Sequence, residues 1–367
     1  MEKRLCIYAI YQNDGQLKDY ILYMVNSMSE IITDYIFVIN GYLTHHDINK
    51  LNKYGRVICR ENVGFDAAAY KYVIVNSFEC VELDDYNQLI LMNDTFCGSF
   101  FSWKKIFADM SQEPIDFWGL TKWKEGFSTY FNKSILEHIQ SYFLVFSENV
   151  IQSHSFKDFW KELVIPNTYE QAIDNFEVAL TQYLSKNGFR YGTWLEKCGG
   201  DQLFSGGEVV YITKPDELVF YHSFPILKKK ACIGENIGAL VNILYYLRGI
   251  ELKRLVETYI RNSLREIGNI DLNALEKFFY LHKKIYFYGG GTYSKNLKAY
   301  FEYKNWKIRG IICSDKSNCK GSIALDELEN CEDVGIIIAT GKQFYEEIYE
   351  AIKKVCPYID VITMCSK

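Results

Sequence analysis

Polar residues that directly follow apolar runs are the first candidates for chemistry in this sequence. Asn93, Asp94 and Thr95 come immediately after the apolar run 89–92, which predicts a buried strand. A carboxylate at the end of such a strand can hold Mg²⁺ or Mn²⁺ against a diphosphate, and the metal then offsets the charge that grows on a departing nucleoside diphosphate. An aspartate that caps the following turn would give the same pattern. Spacing alone leaves both interpretations of Asp94 open.

Three further polar clusters follow apolar runs near the start of the chain. They are residues 12–14, 40–41 and 60–66, and they contain the candidate ligand-binding residues Asn13, Asn40, Asn62, Gly64 and Asp66. Open parallel sheets bind ligands at the carboxyl ends of their strands, so we expect these clusters to converge on one sheet edge. Gly64 would allow close backbone approach, whereas Asp66 opens a predicted helix and could equally be an ordinary N-terminal cap.

Glu177 is a candidate general base. It shares one face of a predicted helix with Ile173, Leu180 and Leu184. Poor solvation among apolar neighbours predicts a raised pKa for this carboxyl group, as a base that works near neutral pH requires. The alternative is a carboxylate at the boundary of the core, paired with a lysine or an arginine.

His222 is a candidate metal ligand. It ends an apolar run that is predicted as a strand, just before Ser223. A neutral imidazole is a suitable ligand for Mn²⁺. A lone histidine at the end of a strand is also commonly structural, and both interpretations stay open.

The elements that must position these residues alternate between strand and helix. Strands are predicted at 5–11, 35–39, 57–59, 88–92 and 116–120, and helices at 17–28, 67–75 and 168–187. Such alternation predicts an α/β fold with a mostly parallel sheet covered by helices. Residues 204–224 return to strand-like and turn-like sequence.

The C-terminal part repeats this alternation on a smaller scale. Amphipathic helices predicted near 236–265 and 272–282 would form a packed connector, followed by strands at 284–288, 307–313 and 334–339. Gly289, Gly291 and Ser294 follow the first of these strands and open a helix, which is the context of a phosphate-binding turn. Asp315 lies about 20 residues further on, where an acid would bind a ribose. NAD or another nucleotide is one interpretation, and a structural or oligomerising role is the other.

Length and composition limit the classes of protein. The 367 residues favour two domains, and 49% of them are hydrophobic. A net charge of −5 excludes the basic footprint of a nucleic-acid-binding protein. The 11 cysteines contain no C-x-x-C pair, which favours reduced thiols and a cytoplasmic location. Aromatic residues make up 16% of the chain, and their faces would suit stacking on sugars or filling of the core.

Membrane insertion is not predicted, because no stretch approaches the ~18 apolar residues of a membrane span. The basic run 228–230 could contact anionic lipid or a lipid-linked acceptor at the inner face of the membrane, or lie in a solvated loop.

Several ordered motifs together resemble the rhamnan synthesis protein F family of bacterial glycosyltransferases. The resemblance covers roughly residues 3–230. The motifs that carry it are 62–71, 91–95, 116–121, 138–143, the Glu177 helix with its end at 187–189, and 222–225 ahead of the lysines.

This resemblance implies a GT-A type fold and a transferase that moves a sugar, typically L-rhamnose from dTDP-L-rhamnose, onto a growing surface polysaccharide with inversion. It implies a metal ion at Asp94, a base at Glu177 and His222 near the diphosphate. The substrate-binding candidates are Asn13, Asn40, Asn62, Gly64, Asp66, Lys71, Asn93, Thr95 and Trp118. The predicted domains are 1–232, the connector 233–282, and a Rossmann-like domain over 283–367 that resembles the N-terminal domain of sugar O-acyltransferases.

Two other functions stay open on the sequence. The protein could be a non-catalytic scaffold of a glycan-assembly complex, which an alanine at Asp94 would reveal by leaving the glycan unchanged. It could also be an NAD-dependent sugar oxidoreductase that uses the C-terminal domain, although no catalytic set of Tyr and Lys or His is evident there.

Overall fold

The computed structural model divides the chain into two compact units. It describes residues 2–76, 81–203, 206–207, 209–314, 321–328 and 333–365. The first unit comprises Met1–Val210 and Glu217–Leu227, and the second comprises Tyr211–Asp216 and Lys228–Lys367. The boundary between the two compact units therefore lies near residue 227. The helices that were predicted as a connector belong to the same unit as the C-terminal domain.

A seven-stranded sheet forms the centre of the first unit. Its strands, from one edge to the other, are β12 (Tyr191–Thr193), β6 (Phe117–Gly119), β11 (Phe143–Ser147), β4 (Gln88–Asn93), β1 (Arg4–Gly15), β2 (Asp34–Leu43) and β3 (Gly55–Arg60). Strand β11 runs antiparallel to β4 and β6, and every other neighbouring pair in this sheet is parallel. The predicted α/β class with a mostly parallel sheet is confirmed.

The central strand β1 shows why the fold could be predicted here. Residues 5–10 are all buried, because helices cover both faces of the sheet. A strand covered on both faces is a continuous apolar run rather than an alternating one. In the described residues, six shorter strands lie outside this sheet and form two-stranded pairs. They are β5 (Phe96–Gly98), β7 (Lys122–Trp123), β8 (Gly126–Ser128), β9 (Lys133–Ile135), β10 (His138–Ile139) and β13 (Ile226–Lys228).

Helices surround the sheet and supply much of its core. In the first unit they are α1 (Asp19–Ser27), α2 (His45–Leu51), α3 (Phe65–Val75), α4 (Trp103–Met110), α5 (Glu148–Ile151), α6 (His154–Glu162), α7 (Tyr169–Ala172), α8 (Ala179–Lys186) and α9 (Trp194–Lys197). They are followed by α10 (Val210–Thr213) and α11 (Pro215–His222). Tyr70 of α3 packs edge-on against Trp160 of α6, with ring centroids 6.4 Å apart. This packing fixes α3 against the sheet, with its N-terminus at the strand ends.

Two regions differ from the sequence prediction. The single helix predicted over 168–187 is divided, because residues Ile173–Val178 form a π-helical segment between α7 and α8. The strand-like sequence of 204–224 is helical where the structure describes it, in α10 and α11. The prediction that His222 ends a strand was wrong, since it is the last residue of α11.

The second unit contains a four-stranded parallel sheet. Its order is β15 (Gly310–Ile312), β14 (Lys284–Tyr288), β16 (Val334–Ile338) and β17 (Asp360–Thr363). The helices of this unit are α12 (Ile237–Tyr246), α13 (Ile250–Ile267), α14 (Leu272–Leu281), α15 (Thr292–Tyr303) and α16 (Tyr345–Val355). Alternation of strands and helices confirms an α/β unit there.

The basic run 228–230 is solvated only in part, since Lys230 is exposed whereas the other two lysines are more buried. The side chain of Lys228 is buried, with its ammonium 5.7 Å from the centre of the Tyr211 ring. Lys229 forms an ion pair with Glu266. In the described segments, no helix combines the length and apolar character needed to cross a bilayer.

Candidate functional site

Asn93, at the end of β4, joins two of the predicted polar clusters. Its side chain is almost fully buried. The amide nitrogen donates to the Asp66 carboxylate at 2.6 Å, and the amide oxygen accepts from the Thr95 hydroxyl at 2.6 Å and its backbone N–H at 3.2 Å. The end of β4 is thereby tied to the first turn of α3.

Asn40 and Arg60 form a second link at the same edge. The Arg60 guanidinium donates to the Asn40 side-chain oxygen at 2.6 Å and to the carbonyl of Val63 at 2.8 Å. Asn40 in turn donates to the carbonyl of Phe65 at 3.5 Å. The ends of β2 and β3 and the turn before α3 therefore meet. Arg60 belonged to a predicted cluster but was not singled out as a ligand-binding residue.

Gly64 makes the turn before α3 possible. Its φ is +78°, in the left-handed region that favours glycine, and it occupies the N-cap position without a side-chain cap. A Cβ at this position would overlap Ile165 and lie 2.6 Å from the Cβ of Ala68. Asp66 lies in the first turn of this helix, where the helix dipole stabilises a negative charge.

Asp66 and Asp94 act on the same buried phenol. Burial raises the pKa of Tyr70 well above its ordinary value, and the charges of Asp66 and Asp94 raise it further. Among the described residues, the hydroxyl of Tyr70 has no hydrogen-bond partner, and neither has that of Tyr8, whose pKa is also raised by burial and by Asp94. Asp66 is also bound to Asn93, the residue before Asp94, so the two carboxylates belong to the same strand end.

Glu177 lies in the π-helical segment and binds three groups from the chain around β10. One carboxylate oxygen accepts from the Ser141 hydroxyl at 2.5 Å and from its backbone N–H at 3.2 Å. The other lies 3.5 Å from Nε2 of the buried His138. π-Helical segments are rare and frequently occur at functional sites.

The pKa of Glu177 lies below its ordinary value. Burial alone would raise it, but the hydrogen bond and charge of His138 and the hydrogen bonds of Ser141 outweigh burial. The predicted raised pKa was therefore wrong, because the apolar stripe of the helix faces polar groups at this point. The partner is a histidine, not the lysine or arginine of the alternative interpretation.

The His138 imidazole lies between a backbone carbonyl and this carboxylate. Its Nδ1 lies 2.8 Å from the carbonyl oxygen of Leu136, which can only accept, so Nδ1 carries a hydrogen. Its Nε2 faces the Glu177 carboxylate. His138 therefore ties the Glu177 carboxylate to the chain around β10.

One dipeptide connects Glu177 with the end of β4. Ser141 binds Glu177, while the carbonyl of the next residue, Tyr142, accepts from the backbone N–H of Asn93 at 3.2 Å. The Tyr142 hydroxyl is in turn held 2.6 Å from that of Thr121. Glu177 and the Asn93 cluster are therefore bound to adjacent residues of a single short loop.

Other predicted residues lie elsewhere. The Lys71 ammonium donates to the carbonyls of Lys161 and Leu163, at 2.9 and 2.7 Å, and so caps the end of α6. Trp118 is buried in the sheet and packs against Phe107 of α4. These contacts give Lys71 and Trp118 structural roles, and their substrate contacts stay a prediction.

Asn13, Asn62 and His222 are less constrained by the strand-end network. Asn13 and Asn62 are exposed. His222 places Nδ1 3.2 Å from the carbonyl of Cys198. Over the described ranges, no three His, Cys, Asp or Glu side chains come together as a group that could hold a metal ion.

In the glycine-rich turn of the second unit, Gly289 and Ser294 make close contacts with neighbouring residues. Gly289 has a φ of +100°, and a Cβ there would lie 2.5 Å from the Thr340 side chain. The buried Ser294 hydroxyl donates to the carbonyl of Gly291 at 2.8 Å, at the start of α15. Asp315 lies outside the described residues.

Comparison with known proteins gives distant relatives. Protein y4gN of Sinorhizobium fredii (strain NBRC 101917 / NGR234), described as uncharacterized, is 28% identical over 194 residues, which are 50% of this chain and 46% of that protein. The chain thus spans about half the length of this curated relative.

The solved structures that are similar are more distant still. CMP:2-keto-3-deoxy-manno-octonic acid synthetase with CTP is 9% identical, with a TM-score of 0.31 over 52% of this chain and 88% of that one. Core-mannan synthase A of Aspergillus fumigatus, in its Mn/GDP form, is 7% identical, with a TM-score of 0.28 over 43% of this chain and 63% of that one. Likeness at this level carries no conclusion about the site.

A family match is more extensive. The model of rhamnan synthesis protein F matches residues 35–259, which is more than half of the chain and contains Asn40, Asp66, Asn93 and Glu177. The match supports a glycosyltransferase role, and the chain belongs to the rhamnan synthesis protein F family.

Proposed function

We propose that this protein transfers L-rhamnose from dTDP-L-rhamnose to a hydroxyl group of a growing bacterial surface polysaccharide, with inversion. The observation that carries the proposal is the Ser141–Tyr142 dipeptide, whose two adjacent residues bind Glu177 and Asn93. A carboxylate base and a set of diphosphate-binding groups held by neighbouring residues suit a donor and an acceptor that must meet in a fixed geometry.

The donor would lie along the strand ends. Asn40, Asp66 and Asn93 already form a connected hydrogen-bonding edge, and Arg60 adds a positive charge beside Asn40. An arginine at this place would bind a diphosphate oxygen, since its planar guanidinium suits phosphate geometry. The proposal therefore adds Arg60 to the residues carried by the family resemblance.

The acceptor would be activated by Glu177. Its oxygen attacks the anomeric carbon while the bond to the diphosphate breaks, and its proton moves to the Glu177 carboxylate. The lowered pKa keeps this carboxylate ionised and able to accept. An acceptor hydroxyl becomes strongly acidic only as its new bond forms, so a weak but fully ionised base is adequate late in the reaction.

Asp94 would hold Mn²⁺ or Mg²⁺, with His222 as a proposed further ligand. The oxygen donors of Asp94 and nearby Asp66 suit both ions, and the shared effect of the two carboxylates on Tyr70 marks a negatively charged region that a cation would neutralise. A bound metal would offset the charge on the departing diphosphate.

Purified protein with a panel of nucleotide sugars tests this proposal. We expect dTDP-L-rhamnose hydrolysis or transfer that requires the divalent ion. Asp94→Asn should lower the rate by about 10²-fold or more, because metal stabilisation of the leaving group contributes several kcal/mol. The exposed Asp158→Asn on α6 is the matched control and should leave the rate unchanged.

Two outcomes would contradict the proposal. One is that no nucleotide sugar binds with or without Mn²⁺. The other is an unchanged glycan in cells that carry Asp94→Asn, which would favour the scaffold function. Nucleotide binding at Gly289, Gly291, Ser294 and Asp315, and a location at the inner face of the membrane, remain separate proposals that a nicotinamide titration and cell fractionation would test.

A further inference from the structure

Three aromatic side chains form an exposed cluster that the proposed chemistry does not use. Tyr130 and Phe131 lie in the turn between β8 and β9, and Tyr169 begins α7. Their ring centroids are 4.7 Å apart for Tyr130 and Phe131, 5.8 Å for Phe131 and Tyr169, and 6.4 Å for Tyr130 and Tyr169. We call these three residues the aromatic platform.

Core packing does not account for this platform. Tyr130 is 78% exposed and Tyr169 is 43% exposed. Isolated exposed aromatics are ordinary, but here rings from two segments pack against each other, with two pairs edge to face and Phe131 tilted by 37° to Tyr169. Phe131 is half-buried and both tyrosines stay exposed, so the cluster can stack a ligand.

The rim of the platform is polar and carries both signs of charge. The Lys133 ammonium bonds to Glu170 and to Asp174, at 2.6 Å each, and lies 5.7 Å from the centre of the Phe131 ring. Two carboxylates beside one ammonium disfavour a phosphate or an anionic lipid headgroup. They suit a neutral, polyhydroxylated ligand, whose hydroxyl groups donate to carboxylates while its C–H face covers the rings.

Both segments of the platform are followed along the chain by residues of the proposed base and its partner. The helical segment that starts at Tyr169 continues through Asp174 to Glu177, and β9 is followed within a few residues by His138. The α-helical rise sets an upper limit of roughly 12 Å between Tyr169 and Glu177 along the axis, because the second half of this segment is π-helical. A ligand that reaches both must be longer than one sugar.

We propose that the aromatic platform is an acceptor subsite, where a sugar of the growing glycan stacks while the terminal sugar of the same chain presents its hydroxyl group to Glu177. This inference rests on the proposed transferase function. It makes the acceptor an oligosaccharide that is neutral near its growing end, and it assigns Tyr130, Phe131 and Tyr169 to recognition of chain length.

The test compares two acceptors with the full-length protein. One is the 3-azidopropyl glycoside of L-rhamnose, and the other is the corresponding rhamnose trisaccharide; neither adds an aromatic group that could stack by itself. The donor is the nucleotide sugar that the wild-type protein hydrolyses. The variants are Tyr130→Ala with Tyr169→Ala, and the control is Tyr358→Ala, a 97% exposed tyrosine of the second unit.

We expect the wild type to prefer the trisaccharide. The double variant should raise the KM for the trisaccharide by about tenfold, as the loss of aromatic stacking implies, and leave donor hydrolysis and the KM for the monosaccharide unchanged. Saturation-transfer NMR with the trisaccharide gives an independent binding measurement, in which signals should be lost in the double variant and kept in the control.

The failures are distinguishable. Absence of donor hydrolysis in the wild type contradicts the proposed function itself. Normal hydrolysis with no trisaccharide binding, or with an unchanged KM in a folded double variant, overturns the subsite alone. Loss of binding to phosphatidylglycerol–phosphatidylethanolamine vesicles with an unchanged trisaccharide KM would make the platform a membrane contact and would also overturn it.

Discussion

Replacing Glu177 by glutamine is the most direct perturbation of the proposed mechanism. Glu177→Gln keeps an oxygen that can accept from the Ser141 hydroxyl and N–H, and it preserves the size of the side chain. It removes the negative charge, the contact of a carboxylate oxygen with Nε2 of His138 and the ability to take a proton. Loss of a positioned general base should lower kcat for transfer by about 10²- to 10⁴-fold.

The expected effect on folding is much smaller. The Glu177 side chain is 22% exposed, and the charge-assisted bonds that it loses are worth about 1.5–3 kcal/mol. Such a loss lowers Tm by about 2–4 °C per kcal/mol in a domain of this size, which leaves the variant folded at assay temperature. Reduced activity can therefore be separated from reduced stability by thermal unfolding of the same preparation.

The assay compares transfer, donor hydrolysis and donor affinity in wild type, Glu177→Gln and Glu162→Gln. Glu162 is exposed at the end of α6 and serves as the matched control. Donor affinity should stay the same, because no proposed donor contact involves Glu177. A folded Glu177→Gln variant that retains transfer within tenfold of wild type would refute the assignment of Glu177 as the base.

Three further changes follow from the same contacts. His138→Gln removes the largest influence that lowers the pKa of Glu177, so burial would dominate, and the acidic limb of kcat/KM should move to higher pH; an unmoved limb in a folded variant would argue against the pair. In the wild type, the stability that this lowered pKa contributes is present above the unfolded-state pKa and is lost as pH falls through the folded-state pKa, so His138→Gln should reduce the free energy of unfolding most near neutral pH, and this difference from wild type should shrink as the pH is lowered. Gly64→Ala should cost about 1–3 kcal/mol in urea unfolding, because φ is positive and the new methyl group meets Ile165; an unchanged midpoint would contradict it. Tyr70→Phe removes a buried hydroxyl that has no partner among the described residues, and the free energy of unfolding should stay the same or rise by about 1 kcal/mol, whereas a clear loss would show that the hydroxyl makes a bond.

The central strands of both sheets could be predicted because burial leaves a direct trace in sequence. The predicted strand 284–288 coincides with β14, and 88–92 lacks only the last residue of β4. Strands covered on both faces are short apolar runs bounded by polar residues or glycines, and nothing else in the chain has that pattern so clearly. Helix α2 was missed because it is short and mostly polar.

The error over 204–224 has an identifiable cause. Apolar and aromatic residues near 209–211 and 218–221 were interpreted as strands by residue type. Pro215 occupies the first position of α11, and Asp216 and Glu217 follow in its first turn, which is the usual composition of a helix N-terminus. This composition predicts the start of a helix, whereas the apolar and aromatic residues taken alone favour a strand.

The convergence of Asn40, Asp66 and Asn93 follows from topology, since parallel strands end at one edge whatever their distance in sequence. The state of Glu177 does not follow in that way. Its helix shows an apolar stripe, and an apolar stripe alone predicts a raised pKa; the residues that reverse the sign, His138 and Ser141, arrive from β10 and the loop after it. Local sequence gives the depth at which a side chain is buried, whereas the sign of its pKa shift depends on which polar groups the rest of the chain brings to the same depth. The location of this carboxylate could therefore be inferred from one helix, and its proton affinity only from the packing of two segments that are distant in sequence.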